Sequence, residues 1–471
     1  MSVLDNLLYS LFDEVIQHND ASPTRLSCIL YSYSQLMYNI GTLFSKANVS
    51  NDRVEIPTYY IQLRTMCTSG NIIALKTLLC YGHNGFISAL YPNNDVYKPS
   101  LHTLSIPNID IAANIQQIIY DWGRAHILGK ELLLTNAKYE TAPDSAQPNE
   151  WSPLTIPTGE EVNAHGQPLI DVNIENSFTI QTYLGRKWGD MIGFAIDNST
   201  KLATIIPPSQ TTQPSKTEID SMMSIYENLN ERQKIIAEFL SSNERDTLSS
   251  PGFWVIISMF LSHVNSQNID DEINMLFSLC SGLFDAGIAA WKYKSLYPIA
   301  RPIQLIRHYY PTKIMQPYQD PTYVSPSSLG AINEHAVFAN VAGKILEWWF
   351  NSDRLYCPYK NVVLYNPQLM SAILCPQTKL RTCGEFIFKR GCSHIEPTTT
   401  PKRDIILRYK YLKELYNDAG MSQVWGGTQT MESNQRGIEM GNIVYECVKS
   451  KLESIFHLSS PYSKKIYTIH I

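Results

Sequence analysis

Apolar residues recur every three or four positions along most of this chain, which is the spacing of amphipathic helices. Arg25–Phe44 (RLSCILYSYSQLMYNIGTLF) follows Ser22-Pro23-Thr24, with proline where a first helical turn tolerates it. Thr58–Cys67 and Asn71–Leu90 carry the same spacing, the second ending at Tyr91-Pro92-Asn93-Asn94, and Asn108–Asn136 predicts one long helix. No stretch before residue 140 alternates as a strand does. Further on, Thr217–Ser241 predicts a charged amphipathic helix and Ser250–His263 an apolar one. Ile269–Trp291 predicts a third, which leads into Leu283–Arg307. A helix opens near His335 and stops at Asn351-Ser352-Asp353; Asp404–Asp418 and Gly437–Phe456 complete the set. Short strands are expected at Asn361–Tyr365 and Glu385–Lys389. With roughly a dozen helices, the fold class is mainly α, with at most a few short strands.

Two stretches break the pattern. Thr141–Asn173 is rich in turns, with Pro143, Pro148, Pro153, Pro157 and Pro168, and Pro207–Pro214 is a shorter one. Trp151, Ile156 and Ile170 interrupt the polarity of the first, so both read as ordered excursions over a helical body. They divide one expected domain, 1–471, into N-terminal helices (1–140), a Pro-rich excursion (141–216) and a central bundle (217–471).

Composition narrows the function. Hydrophobic residues make up 44% and charged residues 17% of the 471, enough for a large core. The net charge is −5 with no basic block, which argues against nucleic acid as a partner. The nine cysteines form no CxxC and no zinc-type pairing with histidine, so no metal site is expected. Their odd number leaves a free thiol unless one pairs between chains, which favours a reducing compartment. The start, MSVLDNLLYSLFDEVIQHND, lacks a basic region and a cleavage site, and the longest apolar run, Gly252–Leu261, is too short to span a bilayer. An intracellular location without a membrane span is expected. Heavy use of Asn, Ile and Tyr suggests an AT-rich genome, such as those of some bacteria, protists or large DNA viruses; a viral source would make the virion a candidate location.

The candidate chemistry starts in LFDAGIAAWKYKSLYPIARPIQLIR, residues 283–307. Lys294 and Arg301 are seven residues apart, nearly two helical turns, so both can point into one place. Pro298 between them must kink or end the helix. Two cations on an apolar segment repel unless an anion or carboxylate lies between them; the alternative is a solvated face with ordinary salt bridges. His335 opens a helix, where backbone N–H groups and an imidazole make an anion site, or where His335 or Asn333 simply caps.

Lys-x6-Arg-Pro, as Lys294 to Arg301-Pro302, resembles the first signature of the vanadium-dependent haloperoxidases. That family shares its fold and anion site with the type 2 phosphatidic acid phosphatases and bacterial class A acid phosphatases. SPTRLSCILYSYSQLMYNIGTLF, DWGRAHILGKELL, RQKIIAEFLSSNERDTLSSPGFW and HIEPTTTPKRDIILRYKYLKELYNDAGMSQVWGGTQTMESNQRGIEMG resemble further segments in the family's order, covering about residues 20 to 455. The resemblance implies a large helical-bundle domain of the haloperoxidase/acid phosphatase type. It also implies that Lys294 and Arg301 bind oxygens of vanadate or phosphate.

The other two signatures depart from the family. Its Pro-Ser-Gly-His corresponds here to Ile332-Asn333-Glu334-His335, so the acid-base His335 remains beside Asn333 and Glu334. A carboxylate repels an oxyanion, and loss of glycine blocks close backbone approach. Its Ser-Arg-x5-His reads Ser422-Gln423-Val424-Trp425-Gly426-Gly427-Thr428-Gln429, with glutamine at both functional positions. A glutamine amide offers an oxyanion one hydrogen bond, worth about 0.5–1.5 kcal/mol net. It cannot form a phosphohistidine or coordinate vanadium as imidazole does, and losing a nucleophile costs on the order of 10³–10⁶ in rate.

The anion-binding candidates are therefore Lys294, Arg301, Asn333, Gln423 and Gln429, with His335 as acid-base if the site works. The reading that follows is a haloperoxidase-fold protein with a dismantled oxyanion site, a pseudoenzyme used for structure, assembly or binding. Lys294 and Arg301 would then pair with buried acids, Asp285 and Glu334 being the candidates. No cofactor is expected on that reading. The alternative is a vanadate-dependent haloperoxidase or phosphatase with a rearranged site, in which His126, His165 or His394 replaces the lost histidine and vanadate or phosphate binds. A third class, a small-molecule or lipid binder, would use Trp348-Trp349-Phe350 and Gly252–Leu261, which otherwise read as core. A homo-oligomer or larger assembly is the expected state.

Overall fold

The computed structural model describes residues 2–44, 72–92, 109–128, 130–137, 139–140, 151–158, 178–203, 205, 214–240, 248–313, 315–355, 379–382 and 384–456. Its helices are α1 (Val3–Gln17), α2 (Pro23–Phe44), α3 (Ile72–Leu90), α4 (Ile109–Leu128), α5 (Glu131–Asn136), α6 (Ser199–Ala203) and α7 (Lys216–Glu227). They continue with α8 (Glu231–Leu240), α9 (Ser250–Val264), α10 (Ile269–Leu296), α11 (Pro302–Tyr309), α12 (Glu334–Phe350), α13 (Leu412–Trp425) and α14 (Met431–Phe456). The strands are β1 (Tyr139–Glu140), β2 (Thr155–Pro157), β3 (Phe178–Ile180), β4 (Tyr183–Leu184), β5 (Lys379–Thr382), β6 (Glu385–Phe388) and β7 (Ile405–Arg408). All pair antiparallel: β1 with β4, β2 with β3, and β5, β6 and β7 in one sheet. Of the described residues 64% are helical, which makes this a mainly α bundle.

The core is built around α10. Asn268 caps it by accepting from Asp271 N at 2.9 Å, and Asp270, Asp271 and Glu272 fill the first turn, where carboxylates favour the helix dipole. From Ile273 onward nearly every side chain is buried, because α2, α9, α12 and α14 all pack on it. Tyr31 and Tyr38 of α2 stack on Phe284 and Phe277 of α10, each with ring centroids 4.4 Å apart. Among the described residues α10 alone is long and apolar enough to cross a membrane, and 94% of its most apolar window is buried inside the protein. Gly252–Leu261 and Trp348-Trp349-Phe350 lie in the same core and offer no surface for a ligand.

Several predicted boundaries differ. Asn108–Asn136 is two helices, α4 and α5, with Gly129, a poor helix former, in the sequence between them. Thr217–Ser241 is also two. Asn230 and Gln233 exchange hydrogen bonds, each side chain taking the other's backbone N–H at 3.0 and 2.9 Å, and this box starts α8. Asp404–Asp418 is not one helix: Ile405–Arg408 pairs with Glu385–Phe388 as β7, and α13 starts after Tyr411. The last helix begins at Met431, six residues before the predicted Gly437. Thr58–Cys67 and Asn361–Tyr365 lie outside the described residues.

Candidate functional site

Lys294 and Arg301 meet, but not on one helix face. α10 ends at Leu296 with Tyr297 as its cap, and Pro298 follows. Arg301 is the cap of the next helix, with Pro302 at its first position. The turn between the helices, not seven residues of helical periodicity, brings the two side chains together.

Both cations end on Glu334, the first residue of α12. Lys294 Nζ is 3.0 Å from Glu334 Oε2, and Arg301 Nη2 is 3.3 Å from Oε1. Gln429 Nε2 donates to Oε2 at 3.1 Å and to the Ile332 carbonyl at 3.1 Å. Ser433 Oγ holds Gln429 from behind, donating to its Oε1 at 2.7 Å. Gln429 is thus a spacer between α12 and α14 whose amide serves an internal carboxylate. The Ser328 hydroxyl completes the group, accepting from Lys294 Nζ and Arg301 Nη2, both at 2.8 Å. Arg301 also donates to the carbonyls of Ser328 at 2.6 Å and Thr428 at 3.3 Å, which take up the cluster's surplus positive charge.

Ser328 carries no signal in the sequence. It lies in a Pro-rich loop that the fold presses onto residue 300. Gly330 N donates to Ile299 O at 2.8 Å, and a Cβ at Gly330 would sit 2.6 Å from Ala300 O, so only glycine permits this approach.

Burial makes these contacts matter. Lys294, Arg301, Gln423, Gln429 and Asn333 are 0–2% exposed, Glu334 4% and His335 6%. Burial opposes ionisation of Glu334, but the charges of Lys294 and Arg301 outweigh it and hold the carboxyl well below the usual range. Burial lowers the pKa of His335 to about 4, against the pull of the Glu334 carboxylate, so the imidazole is neutral near pH 7. The Pro-rich excursion covers the cluster: Trp151, Tyr183 and Leu329 pack together, and Leu184 N donates to Ser327 O at 2.9 Å. Gln181 Nε2 donates to Ser325 O at 2.8 Å, and Gln304 Nε2 to Ser152 O at 2.7 Å.

The remaining candidates hold structure. Asn333 caps α12, its Oδ1 accepting from His335 N at 3.1 Å, and its Nδ2 donates to Gly420 O at 2.8 Å and Asn434 Oδ1 at 2.9 Å. A Cβ at Gly437 would lie 2.5 Å from the Asn333 carbonyl, so α14 approaches the start of α12 as closely as backbone allows. Gln423 stays within its own turn, accepting Thr428 Oγ1 at 2.9 Å.

Asp285 is not a partner of Lys294 or Arg301. Its carboxylate accepts from the backbone N–H groups of Phe194, Ala195 and Ile196 at 2.5, 2.7 and 3.1 Å and fastens that loop to α10. The ring of His126 is hydrogen-bonded to Asn39 and the Trp122 carbonyl, and His394 N donates to Glu238. His165 lies outside the described residues. Among the described residues no group of histidine, cysteine and carboxylate side chains is arranged to hold a metal.

Residues 274–457 match the family model described as the VCPO second helical-bundle domain. The whole fold is similar to a bacterial vanadium-dependent chloroperoxidase. Its apo crystal structure aligns over 92% of this chain and 95% of that one, with a TM-score of 0.62 and 14% identity. The holo form aligns over 92% and 93%, with a TM-score of 0.63 and 15% identity. The first bacterial vanadium-dependent iodoperoxidase aligns over 95% and 96%, with a TM-score of 0.58 and 14% identity. No curated protein matches the sequence. The chain therefore has the fold of the vanadium haloperoxidase superfamily.

An oxyanion placed among these residues would stand against the Glu334 carboxylate. The point on which Lys294, Arg301 and Gln429 converge holds the Glu334 carboxylate.

Proposed function

We propose that this is a non-catalytic haloperoxidase-fold protein whose anion pocket is filled from within, and that it works in structure, assembly or binding, as a homo-oligomer or within a larger assembly. One observation carries the reading: both signature cations and the amide of Gln429 are spent on the Glu334 carboxylate. An incoming oxyanion would have to displace a buried, doubly paired carboxylate, which costs several kcal/mol before any new bond is made. Gln429 then offers no nucleophile and Gln423 no charge.

Calorimetric titration with orthovanadate and, separately, phosphate tests it. No heat is expected up to millimolar anion. Micromolar binding that Lys294→Ala abolishes, accompanied by peroxide-driven bromide oxidation after vanadate loading, would overturn the proposal and establish the enzyme instead.

A further inference from the structure

A second group of ionisable side chains, unrelated to the pocket, ties α1 to the bundle. Asp5, in the first turn of α1, caps the helix reciprocally with Ser2: its Oδ2 accepts Ser2 N at 2.6 Å, and Ser2 Oγ accepts Asp5 N at 3.1 Å. The same Asp5 oxygen lies 2.7 Å from Nε2 of His263, near the end of α9. Facing them from α10 is Glu272, 6% exposed, with its Oε1 3.4 Å from Ser262 Oγ. Asp5, Ser258, Ser262 and Glu272, with Leu8 and Met275, line a cavity of about 10 Å³ between the three helices, the size of a single water.

We propose that Asp5, His263 and Glu272 form a protonation-controlled latch, which holds α1 onto α9 and α10 in acidic to neutral solution and loosens it in alkaline solution. The inference is independent of whether the oxyanion pocket works.

The charges decide the direction. With Glu272 protonated and His263 charged, Asp5 has a cationic partner and no anionic opponent. With Glu272 ionised and His263 neutral, two buried carboxylates face each other across the cavity. Burial pushes Glu272 up to about 7 against hydrogen bonding by the Ser2 and Ser262 side chains, with Asp5 adding to the rise and His263 opposing it. The hydrogen bond to Asp5 raises His263, against its own burial, and Glu272 helps. Both folded-state values lie above the unfolded ones. The folded chain therefore binds more protons than the unfolded chain, and anchoring weakens as pH rises through the neutral range. Release would uncover the apolar face of α1, including Leu4, Leu8, Leu11 and Phe12.

Hydrogen exchange of the full chain, read by mass spectrometry at about pH 6 and about pH 8.5 and normalised to the core helix α12, tests the latch. Protection of residues 3–17 relative to α12 should fall about tenfold or more on going alkaline in the wild type. Glu272→Gln should abolish most of that fall, and His263→Gln should leave α1 loosened already at the lower pH. Equal relative protection at both pH values, or a Glu272→Gln profile that tracks wild type, would overturn the latch.

Discussion

Lys294 Nζ and Glu334 Oε2 lie 3.0 Å apart, one near the end of α10 and the other at the start of α12, with side chains 0% and 5% exposed. Arg301 reaches the second oxygen of the same carboxylate, so a single glutamate is shared by a pair of cations that the sequence places together.

Removing that carboxylate should therefore be severe. Glu334→Gln keeps the shape but leaves two cations buried without a counter-charge, and a loss of about 3–5 kcal/mol in chemical denaturation is expected. Lys294→Met should cost less, because Arg301 still pairs with Glu334. A change within about 0.5 kcal/mol for Glu334→Gln would show that the cluster does not carry stability.

Glu334→Ala should turn the pocket outward. With its internal anion gone, the variant's melting temperature should rise by several degrees in millimolar phosphate or vanadate, while wild type stays unmoved, because a ligand that binds only the folded state stabilises it. An anion response equal in the two proteins would mean that Glu334 does not stand in for an oxyanion.

Acid should separate Glu334 from His335. Glu334 titrates below its ordinary 4.5, so its contribution is fully present above that value and is lost only as pH falls further. The stability gap between wild type and Glu334→Gln should thus be flat from neutral pH to about 5 and close below about 4. His335, lowered from 6.5 to about 4, works at higher pH. The folded chain binds fewer protons than the unfolded one across that window, so acidification costs stability on the order of 3 kcal/mol. His335→Gln should lose less stability than wild type over that range; parallel pH curves would remove the neutral buried imidazole from the account.

Asp285 and Glu334 should behave as independent sites. Asp285 serves a backbone turn at residues 194–196 and does not share a bond with Lys294. In denaturation, Asp285→Asn should add to Lys294→Met within about 0.5 kcal/mol, whereas Glu334→Gln and Lys294→Met should couple by more than about 1 kcal/mol. Strong coupling between Asp285 and Lys294 would place Asp285 in the cluster after all.

Much of the fold was legible from the apolar spacing. α2, α3, α9, α10 and α12 stand within a few residues of their predicted spans, because each buries a wide apolar stripe. The failures are local. Ile405–Arg408 is apolar enough for either state, and pairing with β6 decides it. The join between α7 and α8 hangs on side-chain caps at Asn230 and Gln233 that an amphipathic pattern does not reveal. At the site, the residue types at Lys294, Arg301, Glu334 and Gln429 announced an anion pocket at odds with itself. Ser328 gave no signal, since a serine in a Pro-rich loop looks like any other.

By itself, then, the sequence determined the mainly α fold and which residues stand at the signature positions, since helix periodicity and residue identity are local properties of the chain. Only the tertiary structure decided that Lys294 and Arg301 close on Glu334 and not on Asp285. That choice depends on where the turn after Leu296 aims Arg301, on Gly330 letting the Ser328 loop approach, and on Phe194–Ile196 occupying the other carboxylate. A buried charge takes the partner that packing brings within about 3 Å, and packing is a property of the whole chain.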